Sequence, residues 1–585
     1  MEKAKFVKYI GNSLNGFNFI VMLKDENAST RKKWKSFKFS GNIPSDLPSG
    51  TILDITFSYN KEKKSGIVSD YNIDVDKNSY LLYKNGVNIK EFKKNMENHK
   101  TTGVLWKDLS NIKENPYAYY KDFKKADEIY KNVGGEKTSK VRCKAISREL
   151  LKRARNRRKS VYSINEYYNM VDKIEEEGAF ERMNYIDKFR ICNSDKFIYD
   201  NKNIKDIELY RARDYIGYEM RKRLGRRTEL VPKDFIDRYL SEINSLNEEQ
   251  KDAVRDLATN RNLVITGGAG VGKTTVIEYI LDCYGKYGNV NDICLLAPTG
   301  KASRRIAEKT GFDAKTIHSE LRKFDLVGTV EEGTTNAFYN EYNPLPYKIV
   351  IVDESSMIDT LLMYDLLKAI PFEAKIIFIG DHNQLPPVGC GEPFFDYISK
   401  NLCHVVRLTK NYRQGANDIL PNAENILANM PMFSGKGVYI KTINKDDIKD
   451  YIDNDLQIIS PFNDINKEIN NIKKKGNNRF NIGDKVVGLV NTENYSNGDL
   501  GEIVRIDDMG MYVKFDEFNA IEYVEKKNYC NFELAYALTV HKMQGSECDD
   551  VILFLPKESN SFIDKRLLYT AITRAKNNIW IYYYI

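Results

Sequence analysis

A glycine-rich segment at residues 267–274 constrains the fold of this chain more than any other feature. It reads Gly-Gly-Ala-Gly-Val-Gly-Lys-Thr, follows an apolar run and precedes a helical pattern at 275–281. A G-x-x-x-x-G-K-[ST] loop in this context closes its backbone N–H groups around a phosphate, and the helix N-terminus adds positive potential. We therefore predict a phosphate-binding loop between a strand and a helix. A chance glycine turn is the alternative.

The residue types in this loop indicate a nucleotide with magnesium. Glycines let the backbone approach the β-phosphate closely, Lys273 reaches the β and γ oxygens, and Thr274 supplies a hydroxyl ligand for magnesium. The loop residues predicted to bind the cofactor ATP are Gly268, Gly270, Gly272, Lys273, Thr274 and Thr275.

Apolar strands, each followed by a loop and a helix, dominate the chain after residue 246. The runs at 262–266, 293–297, 348–352 and 375–379 are apolar on both faces, which is typical of parallel strands buried between helices. A second set lies at 456–460, 533–537, 550–554 and 579–582. We predict two α/β domains, with tight antiparallel strands at 482–523 inserted into the second.

An acidic pair follows the third of these strands. Asp353 and Glu354 stand where open α/β sheets bind ligands, at the carboxyl end of a buried strand. We predict that Asp353 holds Mg²⁺, directly or through water, and that Glu354 polarises an attacking water. The alternative is that the pair caps the next helix, because Ser355 and Ser356 follow.

The charge of the chain is concentrated in one segment. The formal net charge of the chain is +8. Residues 137–159 contain eleven Lys or Arg and one Glu, so the net charge of this segment alone exceeds that of the whole chain. Contact with a phosphate backbone would relieve repulsion among these cations. A solvated helix face is the alternative.

The remaining composition points to a cytoplasmic protein without a membrane segment. No apolar run approaches the roughly 18 residues that a membrane span needs, and the eight cysteines include no C-x-x-C pair. Free thiols in a reducing compartment fit this pattern best.

The order of motifs resembles the superfamily 1 helicases, and among them the RecD-like group that moves 5′ to 3′ on DNA. The resemblance covers residue 246 to the C-terminus, in motifs called Q, I, Ia, Ib, II, III, IV, V and VI. They correspond in that order to residues 246–250, 267–275, 297–301, 316–318, 353–357, 380–389, 408–414, 539–547 and 568–575.

The resemblance implies roles for residues that spacing alone does not assign. Gln250 would read adenine, Tyr412 would stack on it, and Gly545 with Glu547 would lie near the ribose. Gln384 would sense the γ-phosphate, and Arg413 and Arg574 would be paired arginine fingers. The residues implied along the single strand are Thr299, Lys301, His318, Thr539 and His541.

The resemblance also implies an architecture. It comprises an N-terminal β-rich domain at 1–95, a helical region at 96–240, and two RecA-like P-loop domains with parallel sheets at 241–405 and 406–585. The first RecA-like domain would carry a small insertion at 321–346 that meets the DNA fork, and the antiparallel segment 482–523 would be an SH3-like β insertion.

The expected function is ATP-dependent translocation and unwinding of DNA in replication, recombination or repair. Its expected partners are single-stranded DNA and the fork, with a single-strand binding protein or a repair protein as a further partner. The alternatives are a motor subunit of a nuclease complex, an ATP-gated clamp, an RNA-directed helicase and a plain P-loop kinase.

Overall fold

The structure is a computed structural model that divides the chain into two compact units, one ending at Tyr210 and one beginning at Arg211. It describes the backbone of residues 2–13, 16–24, 34–41, 52–60 and 65–74. It further describes residues 115–118, 120, 122–192, 196–200, 202–226, 228–321, 338–412, 417–452, 456–490, 492, 495, 497–516, 521–557 and 563–585. The predicted domain boundaries stay predictions, and most of the predicted insertion at 321–346 lies outside the described residues.

The first unit begins with a closed five-stranded barrel, in the order β1-β2-β3-β5-β4. Neighbouring strands are antiparallel except β3 and β5, which are parallel. This is the region where alternating apolar residues and frequent turn residues predict strands. The strands are β1 (Glu2–Ser13), β2 (Gly16–Lys24), β3 (Trp34–Gly41), β4 (Ile52–Asn60) and β5 (Ser65–Asp74).

Four helices and a small sheet follow among the described residues of the first unit. Three helices begin at side-chain caps, Asp122, Ser139 and Ser163, the last in a capping box with Glu166. The small antiparallel sheet was not predicted, because strands of three or four residues leave no periodic signal. The elements are α1 (Phe123–Asn132), α2 (Lys140–Asn156), β6 (Val161–Ser163), α3 (Ile164–Glu177), α4 (Tyr185–Cys192), β7 (Phe197–Asp200) and β8 (Asn203–Asp206).

Several cations of the basic segment 137–159 are used within the first unit. Arg142 is fully buried, with Nε 2.8 Å from Asp127 Oδ1 and Nη1 3.7 Å from Glu175 Oε1. Exposed Lys140, Lys144 and Arg148 stand at every fourth position and form one face of α2, which we call the α2 stripe. The other cations in ion pairs are Lys152 with Glu149, Arg153 with Glu149 and Glu177, Arg155 with Asp206 and Glu208, and Lys159 with Glu166.

These ion pairs correct the sequence-based view of the basic segment. Repulsion among all eleven cations would favour a bound polyanion, but acids on other elements already compensate part of that charge. The α2 stripe keeps the character of an exposed basic surface, and Arg157 and Arg158 directly after α2 are exposed as well. Contact with phosphates is therefore to be sought at these cations.

The second unit contains a six-stranded sheet in the order β11-β10-β12-β13-β9-β14, in which every pair of neighbours is parallel. Alternate residues of β12 pack into different hydrophobic clusters: Ile349 and Ile351 into one, Val350 and Val352 into the other. The strands are therefore buried on both faces, as predicted. They are β9 (Leu263–Gly267), β10 (Ile293–Ala297), β11 (Ala314–Thr316), β12 (Ile349–Val352), β13 (Lys375–Gly380) and β14 (His404–Leu408).

Helices cover this sheet. They are α5 (Ile207–Leu224), α6 (Lys233–Ser241), α7 (Glu248–Arg255), α8 (Lys273–Tyr287), α9 (Gly300–Thr310), α10 (Ile317–Leu321), α11 (Thr360–Ala369) and α12 (Pro393–Ser399).

A second parallel sheet, of five strands, follows in the order β15-β24-β23-β16-β22. Together the two parallel sheets confirm the predicted α/β class. The strands are β15 (Val438–Ile443), β16 (Gln457–Ser460), β22 (Ala537–Thr539), β23 (Cys548–Pro556) and β24 (Ala575–Tyr584), with helices α13 (Ile419–Leu427), α14 (Asn463–Lys473) and α15 (Lys565–Ile572).

An antiparallel five-stranded sheet is inserted into this layer, in the order β20-β19-β18-β17-β21. One prediction was wrong: residues 533–537 are not one strand. Glu533 pairs with Val487 in the antiparallel sheet, and the chain joins the parallel sheet only at Ala537. The inserted strands are β17 (Lys485–Gly488), β18 (Leu500–Ile506), β19 (Gly510–Phe515), β20 (Ile521–Glu525) and β21 (Phe532–Leu534).

None of the described helices combines the length and the apolar composition needed to cross a membrane.

Candidate functional site

The glycine-rich loop connects β9 to α8 as the sequence predicts. Gly270 and Gly272 have φ values of +78° and +82°, which favour glycine. A Cβ atom on Gly272 would lie 2.5 Å from Gln250 Nε2, so a larger residue there would have to displace the Gln250 side chain. Lys273 begins α8, and its Nζ donates to the carbonyls of Gly267 and Gly268 at 2.8 and 2.7 Å. The lysine ammonium therefore lies directly at the loop.

Gln250 supports this loop from behind. Its Oε1 accepts a hydrogen bond from Asn247 N at 3.1 Å, and its Nε2 donates to Val271 O at 3.4 Å. The side chain is buried and does not line the cavity in front of the loop. Its contact with adenine stays a prediction, and the geometry gives it a structural role in bracing the loop.

The acidic pair lies at the carboxyl end of β12. Glu354 has φ +50°, a strained conformation for a residue other than glycine. It precedes a 3₁₀ turn, Ser355–Met357, but its side chain makes no capping hydrogen bond there. The capping alternative is therefore not supported for Glu354. No described residue donates a hydrogen bond to the buried Glu354 Oε2.

The two carboxyl groups influence each other. Burial, and next the neighbouring charge of Glu354, raise the pKa of Asp353 to about 7. A nearby cation would stabilise the ionised form of such a group.

The loop after β13 joins the two parallel sheets. The hydroxyl of Tyr569, on α15, donates to the buried Asp381 Oδ2 at 2.8 Å, and Leu385 N donates to Thr570 Oγ1 at 2.9 Å. Between these links lies Gln384, which is buried, with no described donor to its Oε1. The position of Gln384 is thus fixed from the second sheet.

Arg574 follows α15 and is fully buried in the second parallel layer. Its guanidinium donates to Thr570 O at 2.9 Å, to Ser546 O at 2.8 Å and to Thr573 Oγ1 at 3.3 Å. Burial lowers the pKa of Arg574, and the carboxylate of Glu354 acts in the opposite direction. These hydrogen bonds hold the arginine within the electrostatic reach of Glu354.

A second link between the layers involves a residue that the sequence reasoning missed. Arg305, on α9, donates to Gly545 O at 3.1 Å and to Glu547 Oε2 at 2.7 Å. Lys309 lies one turn further along α9, and its pKa is lowered by burial and by Arg305. The four-residue spacing of Lys301, Arg305 and Lys309 was the available signal, because it places three cations on one helix face.

Tyr412 lies beside the glycine-rich loop. Its backbone N donates to Gly270 O at 2.9 Å, and the Asn411 side chain donates to Ala269 O at 3.0 Å. Tyr412 is 41% exposed, and Lys410 Nζ lies 5.4 Å from the centroid of its ring. Arg413, the other predicted finger, lies outside the described residues.

These groups meet in one cavity of about 400 Å³, to which both parallel layers contribute. Gln250 and Gly268 do not line it, although the Tyr569 hydroxyl would be 3.0 Å from a Cβ on Gly268. The predicted residues that line it are Gly270, Gly272, Lys273, Thr274, Thr275, Asp353, Glu354, Gln384, Tyr412, Gly545, Glu547 and Arg574. Lining residues that were not predicted include Arg305, Lys309 and Lys576.

The residues predicted along a single strand lie outside this cavity. Thr299 follows β10, and its hydroxyl accepts a hydrogen bond from Ala302 N at 3.2 Å. Thr539 ends β22, and its hydroxyl accepts a hydrogen bond from Lys542 N at 3.2 Å. Lys301 and His541 are partly buried, and His318 is exposed on α10. Their contacts with DNA stay predictions.

The cavity combines cationic side chains and a glycine-rich loop with two carboxylates, which suits a nucleoside triphosphate. Thr274 and Asp353 present hard oxygen donors of the kind magnesium takes, usually with several waters retained. No cluster of three or more metal-binding side chains occurs among the described residues. The donor set therefore fits a metal bound together with phosphates, as in other P-loop sites.

Comparisons with known proteins agree with this geometry. Residues 250–390 match the family model "AAA domain" and residues 534–582 match "UvrD-like helicase C-terminal domain". The ATP-dependent RecD2 DNA helicase of Deinococcus radiodurans is 32% identical over 362 residues, which cover 57% of this chain and 48% of that protein. The chain thus spans about half the length of this relative.

Two further similarities complete the comparison. The RecBCD enzyme subunit RecD of Buchnera aphidicola (subsp. Acyrthosiphon pisum) is 29% identical over 437 residues, covering 57% of this chain and 71% of that protein. A crystal structure of Bacteroides Pif1 bound to ssDNA is 22% identical, with a TM-score of 0.40, and covers 57% of this chain and 92% of that chain. The family models and the RecD relatives confirm the resemblance to RecD-like superfamily 1 helicases.

Proposed function

We propose that this protein is a cytoplasmic ATP-dependent DNA helicase that moves 5′ to 3′ on single-stranded DNA, in replication, recombination or repair. The observation that carries the proposal is the shared cavity, in which Lys273 of one parallel layer and Arg574 of the other line the same space. A P-loop kinase needs no second α/β layer with a buried arginine, whereas a two-layer motor does. The relatives named RecD2 and RecD support the assignment to DNA.

The cavity residues divide the work of ATP hydrolysis. Backbone N–H groups of the loop and Lys273 bind the β- and γ-phosphates. Thr274 and Asp353 would hold magnesium, which neutralises developing charge on the phosphates when bound. Glu354 polarises the attacking water, and its unpartnered buried oxygen suits that role. Arg574, rigidly placed, stabilises charge on the transferred phosphoryl group.

Contacts between the two parallel layers couple ATP hydrolysis to movement of one layer relative to the other. The pairs Asp381 with Tyr569 and Arg305 with Glu547 cross from one parallel layer to the other beside the cavity. A nucleotide that contacts both layers favours their closed arrangement, and its loss favours reopening. Opening a DNA base-pair step costs about 1.4 kcal/mol on average, so alternating grip on one strand is sufficient for unwinding.

A tailed-duplex assay tests the proposal. We expect ATP turnover to be stimulated by single-stranded DNA oligomers, and duplexes with a 5′ tail to be unwound while those with a 3′ tail are not. Lys273→Ala is the matched control and should be inactive in both measurements. Stronger stimulation by RNA of the same sequence would assign the protein to the RNA-directed class. Unwinding only from 3′ tails would contradict the proposed direction.

A motor subunit of a nuclease complex is the second candidate, because one of the relatives carries the name RecBCD enzyme subunit RecD. The two candidates differ in what the isolated chain does. Strand separation by the isolated chain favours an autonomous helicase. ATP turnover without strand separation, restored by a partner protein, favours the subunit.

A further inference from the structure

A second cavity, of about 650 Å³, lies beside α14 in the second parallel layer, away from the glycine-rich loop. One wall is α14 and the residue that follows it; the other side contains β21 and β22, which ends at Thr539. We call it the α14 groove. Its helical wall consists of Asn463, Asn466, Lys467, Asn470, Asn471 and Lys474.

These six residues form a single helix face with only amide and ammonium side chains. Their spacing of three and four residues aligns them along the helix, over a rise of about 16 Å. Asp464 and Glu468, the acidic residues of α14, do not line the groove. Lys467 and the four asparagines of α14 therefore face the groove together with Lys474, whereas Lys473 and both acidic residues of the helix do not line it.

The inner amides of this face maintain the fold. Asn470 Nδ2 donates to Leu534 O and Ala537 O at 3.1 and 3.0 Å, and its Oδ1 accepts from Ala537 N at 2.8 Å. Asn466 Nδ2 donates to Ser460 O at 3.3 Å. Both side chains are buried, so they fix α14 against the strands and are not available to a ligand.

The outer row is available. Asn463, Lys467 and Asn471 are exposed, and Lys474 is partly exposed. None of these four side chains has an ion-pair or hydrogen-bond partner among the residues that the structure describes. Amide and ammonium groups alternate along the row, with neighbours about 5–6 Å apart along the helix axis.

The facing wall increases the positive charge. Lys542 and Arg479 line it, and its one carboxylate, Glu533, is already paired with Lys542 at 2.6 Å. Phe532, Leu534, Ala537 and Leu538 provide apolar lining. The groove therefore offers a net positive, amide-rich surface over an apolar base.

We propose that the α14 groove holds a short stretch of single-stranded DNA, with Lys467 and Lys474 on phosphates and Asn463 and Asn471 on base edges. The inference rests on the proposed function, because it extends the strand from Thr539, which was predicted to contact DNA and lines the same groove. Ammonium groups bind the phosphate backbone without regard to sequence. Asparagine amides can pair with two adjacent groups on adenine. The alternation of ammonium and amide groups along the row matches single-stranded DNA, in which phosphates and bases alternate.

Two pairs of substitutions separate these roles. Lys467→Gln with Lys474→Gln should weaken binding of oligo-dA and oligo-dT alike. It should also make the slope of log K against log salt shallower by about 1.4, since each single-strand phosphate contact contributes about 0.7. Asn463→Ala with Asn471→Ala should weaken oligo-dA binding by at least about fivefold, and oligo-dT binding less. The control is Lys445→Gln with Lys449→Gln, two exposed lysines of the same layer outside the groove.

Fluorescence anisotropy titrations of labelled oligomers over a range of salt concentrations distinguish the outcomes. If the wild-type chain binds strands and the groove variants bind with unchanged affinity and slope, the groove assignment is wrong and the proposed function stands. If the wild-type chain binds no strand, both are wrong. If the lysine pair weakens binding of a polyglutamate peptide and leaves oligomer binding intact, the groove belongs to an acidic protein segment and the proposal fails.

Discussion

Replacing Arg574 by alanine tests whether the second parallel layer takes part in hydrolysis. An arginine that stabilises the transferred phosphoryl group typically contributes about 10³–10⁵ in rate, or about 4–7 kcal/mol of transition-state stabilisation. Because Arg574 lines the same cavity as Lys273 and Glu354, we expect a loss of turnover in that range.

The same substitution has a smaller structural cost. Thr570 O keeps a second donor, Thr573 Oγ1 at 3.1 Å, after Arg574 is removed. Ser546 O accepts from Arg574 at 2.8 Å and has no other donor among the residues that the structure describes. Leaving one buried carbonyl unsatisfied costs about 1–3 kcal/mol. The expected loss of stability is therefore well below the expected loss of transition-state stabilisation.

The assay compares ATP turnover under saturating nucleotide with urea denaturation of the same preparations. Arg226→Ala is the matched control: Arg226 is also buried and donates to Ala374 O at 3.0 Å, but it does not line the cavity. We expect the two variants to lose similar stability and only Arg574→Ala to lose turnover. A folded Arg574→Ala protein that keeps more than about a tenth of wild-type turnover would refute the role of the second layer.

Three further outcomes are expected. Lys273→Ala should lower ATP turnover by at least about 10² while single-strand binding persists in a gel-shift assay; retained turnover would contradict the P-loop assignment. Tyr569→Phe removes the donor to buried Asp381, so the free energy of unfolding should fall by about 1.5–3 kcal/mol in urea titrations, and a change under about 0.5 kcal/mol would argue against this link. Replacing the α2 stripe by three glutamines should make the salt slope of single-strand binding shallower by about 2, and an unchanged slope would remove the stripe from the DNA path.

The parallel sheets could be predicted because their strands are continuous apolar runs. A strand with one face in water would expose half of the apolar side chains of such a run. A continuous apolar run therefore indicates a strand buried between helices. The same reasoning failed at 533–537, where an apolar run belongs to two sheets in turn. The pattern of apolar residues indicates which residues are buried but not which strands pair. It therefore could not show that Glu533 pairs with Val487 in one sheet and Ala537 with Ile458 in the other.

The candidate site could be predicted where its chemistry is local in sequence. The glycine-rich loop and the Asp353–Glu354 pair are contiguous, and each carries its own signal. Arg305 was missed because its partner, Glu547, is 242 residues away. The partial compensation of charge in the basic segment was missed for the same reason, since Arg155 pairs with Asp206 across 51 residues. A sequence shows how much charge a segment has but not which distant acids compensate it.

Helix α9 has a consequence for how the parts of this chain can respond to one another. Arg305 and Lys309 line the nucleotide cavity, Thr299 caps the helix at its start, and Arg304 forms an ion pair with Asp499, which directly precedes β18 of the inserted antiparallel sheet. A helix of eleven residues is stiff, so these three contacts share one rigid body. A tilt of α9 would displace all of these side chains together, so the helix connects the nucleotide cavity mechanically to the inserted sheet.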